Sequence, residues 1–85
     1  MKVYSISTPK QLERAADLVK WPKDREKVMK FAGRWYNYSM KIDVTLEIGR
    51  NAIIHYIDLD GKKTKLVNLY VIPARQFAGE ELTEI

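Results

Sequence analysis

From Tyr36 to Ile48 every even position is apolar or aromatic and every odd position is polar. A period of two puts successive side chains on opposite faces of an extended strand, so the pattern predicts a strand with one dry face and one wet face. A half-dry strand cannot stand alone. The rest of the chain must supply neighbours that complete a sheet and apolar elements that cover its dry side.

The first part of the chain supplies that cover. Lys2 to Ser7 alternates, with Tyr4 and Ile6 on one side, and reads as a short first strand that adds at an edge. Thr8-Pro9-Lys10-Gln11 starts a helix, with Thr as the cap, Pro at the first helical position and Gln completing a capping box. Leu12, Ala15, Ala16 and Val19 then recur at helical spacing. Trp21-Pro22 ends that helix, because the residue before proline is pushed out of the α region, and Pro22 suits the start of a second helix. Val28, Phe31, Ala32 and Trp35 form its apolar stripe, and Gly33 offers a left-handed residue to close it.

After the alternating stretch, Gly49-Arg50-Asn51 reads as a turn and Ala52 to Leu59 as a central strand, apolar on both faces. Asp60-Gly61 is a strong hairpin signal of the type in which both central residues take positive φ. Lys63 to Ile72 is the last strand, stopped by Pro73, and a short helix around Gln76 to Glu81 is the remaining element. The order β-α-α-β-β-β gives an α+β fold with two helices packed on one face of an antiparallel sheet. The 85 residues make a single small domain, 1–85, in which 79–85 is an acidic, flexible tail.

Composition narrows the function. With no cysteine and one histidine there is no disulfide framework, no Cys-based zinc site, and no metal or cofactor to expect. No apolar run is long enough for a membrane span or a secretory leader, so the expected compartment is the cytoplasm. Residues 1–34 carry nine Lys/Arg against four Asp/Glu, and residues 79–85 carry three acids and no base. The helical part is the positive pole, which suits a polyanionic partner such as RNA or the ribosome.

Lys23, Lys27, Lys30 and Arg34 fall at i, i+4, i+7 and i+11 of the second helix, a basic stripe along which a phosphate backbone can lie, or else a solvated face with Glu26 paired to Lys30. Trp35, Tyr36 and Tyr38 have the chemistry of a base-stacking platform, but the alternation puts Tyr36 and Tyr38 in the core first. His55 lies on the strand face of Ile53 and Ile57 and is a candidate for proton transfer, or a packed, hydrogen-bonded side chain.

Three stretches carry a family resemblance: Leu18-Val19-Lys20-Trp21-Pro22 running into the charged second helix, Arg50-Asn51-Ala52-Ile53-Ile54-His55-Tyr56-Ile57-Asp58, and Leu69-Tyr70-Val71-Ile72-Pro73-Ala74-Arg75-Gln76-Phe77. With the element order, they resemble the RelE/ParE toxin superfamily. The resemblance implies a toxin acting on translating mRNA at the ribosome and paired with an acidic antitoxin. Arg75 and Arg50 match that family's basic residues, and they would stabilise the phosphate at which a 2′-hydroxyl attacks. Phe77 and Ala74 stand where the family often carries Tyr and His, which leaves proton transfer to His55 or a lysine. The alternative is a non-enzymatic binding protein: a nucleic-acid binder, or a phage- or plasmid-encoded inhibitor of a host protein complex.

Overall fold

The computed structural model describes residues 1–69 and 82–85. Its elements are β1 (Lys2–Ile6), α1 (Pro9–Glu13), a 3₁₀ turn over Arg14–Leu18, α2 (Pro22–Tyr38), β2 (Asp43–Ile48), β3 (Ala52–Ile57), β4 (Lys63–Leu69) and β5 (Thr83–Glu84). The five strands form one antiparallel sheet in the order β4-β3-β2-β1-β5. The fold is therefore α+β, with helices packed against an antiparallel sheet, as the sequence predicts.

Register lines up the dry face. Tyr4 pairs with Leu46, Leu46 with Ile54 and Ile54 with Val67, so one apolar row crosses four strands, and Ile6, Val44, Ala52 and Leu69 extend it. All eight are buried, together with Leu12, Ala15, Ala16 and Leu18 from the first helical segment and Val28, Ala32 and Trp35 from α2. The core is the layer between helices and sheet. A register shift between Ile54 and His55 leaves Leu66 as the extra residue of β4. This bulge lets Leu66 and Val67 both reach the core, which strict alternation forbids.

The α1 start forms as its sequence demands. The Gln11 N–H donates to Thr8 Oγ1 at 3.2 Å, while Gln11 Oε1 accepts the N–H groups of Ser7 and Thr8 at 2.7 and 3.2 Å. The α-helical hydrogen-bond pattern lasts only to Glu13, and a tighter 3₁₀ turn carries Ala15, Ala16 and Leu18 inward. Trp21 is extended ahead of Pro22, and its carbonyl accepts the N–H groups of Asp24 and Arg25 at the start of α2.

Four expectations are corrected. Helix α2 runs through Gly33 and ends at Ser39, which takes the left-handed conformation at φ 46° and ψ 47°. Hence Tyr36 and Tyr38 lie on the last turns of a helix and are exposed by 77% and 74%, not buried on a strand; the strand itself begins at Asp43. The β3–β4 loop is not a two-residue turn of the kind expected. Gly61 alone has positive φ there, at 80°, and its N–H donates to the Asp58 carbonyl at 3.0 Å, so Leu59 and Asp60 form the turn and Gly61 the left-handed residue after it. Finally, β1 is not the edge. Tyr4 and Ser5 pair with Glu84 and Thr83, the Ile85 N–H donates to the Val3 carbonyl at 2.7 Å, and Leu82 is buried, so β5 takes the edge beside β1. The anticipated helix around Gln76 to Glu81 and the strand beyond Leu69 lie outside the described residues.

Candidate nucleic-acid interface

Because α2 buries Val28, Ala32 and Trp35, the residues one step round the helix fall at the border between core and solvent. These are Lys27, Lys30, Phe31 and Arg34, spaced so that each stacks over the next turn. They form one wall of a cleft of about 540 Å³. The opposite wall comes from the β3–β4 hairpin, through Tyr56, Asp58, Thr64, Lys65 and Leu66, while Met40 and Ile42 of the α2–β2 connection complete it. Tyr56 pairs with Val44 and Thr64 in the sheet register and so points to the helix side, where its ring meets that of Phe31 with centroids 4.9 Å apart and planes tilted by 38°. The two rings tie the walls together and leave part of their surface in the cleft.

Charge around this cleft is uneven. Lys27, Lys30 and Arg34 stand on the helix wall, against Asp58 alone among the described acids that line it; Lys65 also borders the cleft from β4, but its register with His55 turns its side chain to the other face of the sheet. Lys30 Nζ is 2.8 Å from Glu26 Oε1, one turn away. That pair lowers the Glu26 pKa and raises that of Lys30 through the hydrogen bond first and the charge attraction second, so Lys30 stays cationic at neutral pH. Both side chains are highly exposed, and the pairing leaves Lys30 free to exchange partners. Asp58 is held by its own loop: Oδ1 accepts the N–H groups of Asp60 at 3.0 Å and Lys62 at 2.9 Å.

Of the anticipated backbone-binding residues, Lys27, Lys30 and Arg34 come together at the cleft, whereas Lys23 lies a turn before it. Of the anticipated catalytic residues, the two that are described, Arg50 and His55, do not come together. Arg50 is exposed in the β2–β3 turn, at the opposite end of the sheet from the β3–β4 hairpin. His55 is on the other face of the sheet, in register with Thr45 and Lys65. Arg75, with Ala74 and Phe77, lies outside the described residues.

On that other face, Glu47 receives the Lys63 ammonium at 3.0 Å on each carboxylate oxygen, and its Oε2 also touches His55 Nδ1. His55 Nδ1 is buried, with the Glu47 carboxylate beside it. Burial lowers the His55 pKa below 6.5, Glu47 opposes that shift, and Lys63 and Lys65 add to it. His55 is thus a neutral, half-buried ring in a small polar cluster rather than a group facing the cleft.

Sequence patterning missed Phe31, Met40, Ile42, Tyr56 and the β4 wall as cleft residues. Their apolar character marked them for the core, and only the tertiary approach of hairpin to helix leaves their edges open. The described residues contain no helix long and apolar enough to cross a membrane. No family model, curated protein or solved structure matches the chain.

Proposed function

We propose that this protein is a small, non-enzymatic nucleic-acid-binding protein that takes a phosphate backbone on α2. The observation that carries the reading is the convergence of Lys27, Lys30 and Arg34 on one wall of a cleft whose interior is aromatic and aliphatic. Cations supply sequence-independent attraction through counterion release, and ring faces supply sites for bases. Binding is favoured over the RelE-like cleaving toxin because cleavage requires a phosphate-stabilising cation and a proton-transfer group within reach of one phosphodiester. Of the residues that the toxin reading would use, Arg50 is instead at a remote turn and His55 on the reverse face of the sheet, while Arg75 lies outside the described residues.

The test is a titration of fluorescent RNA and DNA across a range of salt concentrations. Replacing Lys27, Lys30 and Arg34 together by Gln should weaken binding and reduce the log–log salt slope by nearly one per lost phosphate contact. Inducible expression of the wild type should leave ribosome-bound mRNA uncut. An unchanged slope in the triple variant contradicts the assignment of the interface, and cleaved mRNA contradicts its non-enzymatic character.

A further inference from the structure

The cleft has a polarity that a phosphate-binding surface alone does not need. Its helix wall is cationic, through Lys27, Lys30 and Arg34, while the hairpin wall is lined by Asp58 and by Thr64, which the register puts on the helix side with Tyr56. Between them lie Phe31 and Tyr56, in ring contact. A double helix keeps its bases stacked inside and offers only phosphates and groove edges, so it would leave this apolar floor uncovered. An unpaired nucleotide presents a phosphate, a flat apolar face and a hydrogen-bonding edge in that order, which is the order of the cleft from helix to hairpin. Its volume, about 540 Å³, is that of a site for one small organic group.

Resting on the nucleic-acid reading above, we infer that the ligand is single-stranded and that one unstacked nucleotide seats between α2 and the β3–β4 hairpin, its phosphate on Lys27, Lys30 and Arg34, its base over Phe31 and Tyr56, and its edge toward Asp58. The Asp58 carboxylate is fixed by the Asp60 and Lys62 N–H groups, so it meets the base edge as an oriented acceptor. An acceptor at that place favours bases with an exocyclic amine, such as cytosine, over uracil, which presents a carbonyl there.

The experiment measures the affinity of the wild-type protein for a short single strand, the same strand with one abasic site at each position in turn, and the corresponding duplex, in RNA and DNA versions. The single strand should bind about tenfold tighter than the duplex, and the most damaging abasic substitution should cost about tenfold. Tyr56→Leu, which keeps apolar bulk over the core, should erase the abasic effect, with the melting transition recorded as a check on folding. Asp58→Asn, which retains the loop-capping oxygen, should abolish a preference for cytosine over uracil strands, and it tests the same seat if Tyr56→Leu does not fold. Equal affinity for single strand, duplex and every abasic strand would overturn the seated nucleotide while leaving phosphate binding on α2 intact. Failure of all of them to bind the folded protein would overturn both readings.

Discussion

Leu46 and Ile54 face each other across β2 and β3 with no exposed surface, and the row they belong to joins four strands to the helices. Truncating either leaves a cavity that the sheet cannot close, so Leu46→Ala should cost about 2–5 kcal/mol in urea denaturation, a large part of what a domain of this size has. Half-buried Ile42, at the cleft, should cost less on truncation because solvent already reaches it. His55 makes a different prediction. Its folded-state pKa lies below 6.5, so the unfolded chain binds a proton more readily than the folded one. The stability it contributes is complete above pH 6.5 and falls as the pH drops through the lowered folded-state value. His55→Gln should flatten that decline. Glu47→Gln, by removing the attraction that opposes the shift, should steepen it. Denaturant midpoints measured between pH 5 and pH 8, order-of-magnitude bounds for histidine titration, check both. The sequence showed that His55 was alone and on a strand; it could not show that Glu47 and Lys63 reach the same cluster, because the reach depends on how the strands come together.

At the scale of elements, the start of each helix and the corner between them were legible because capping residues and proline act through local sterics. The end of α2 was not. Gly33 looked like a terminator, but nothing lies within 4 Å of where its Cβ would be and its φ is not positive, so it is an ordinary helical position. The helix continues for five more residues, to Tyr38, because Trp35 buries its side chain beyond Gly33. The parity of Tyr36 and Tyr38 with the later strand is too short a match to distinguish period two from period 3.6. Two substitutions follow. Gly33→Ala should raise stability by about 0.5–1 kcal/mol by removing backbone freedom from the unfolded chain. Ser39→Gly should also raise the melting temperature, because a non-glycine residue at positive φ carries a steric cost of about 1 kcal/mol. The β4 bulge and the β5 pairing were invisible for a related reason: both are decided by which strand lies alongside.

For the molecule as a whole, charge was the part of the proposed function legible from composition. The formal net charge is +4, and the basic stripe lies on α2, whose border faces the open cleft. What composition could not supply was the hairpin wall. Lys65, Asp58 and Thr64 are distant from α2 in sequence and meet it only through the sheet. The same topology separates Arg50 and His55 from the cleft, so single substitutions at either should leave nucleic-acid affinity within about twofold of wild type, whereas each of Lys27→Gln and Arg34→Gln should weaken it several-fold at low salt. The most direct test of the interface is a backbone-amide NMR titration with a short single-stranded oligonucleotide. The largest shifts should fall on Lys27–Arg34 of α2 and on Tyr56, Thr64 and Leu66 opposite them. Shifts concentrated at Arg50, or around His55 and Glu47 on the reverse of the sheet, would contradict it.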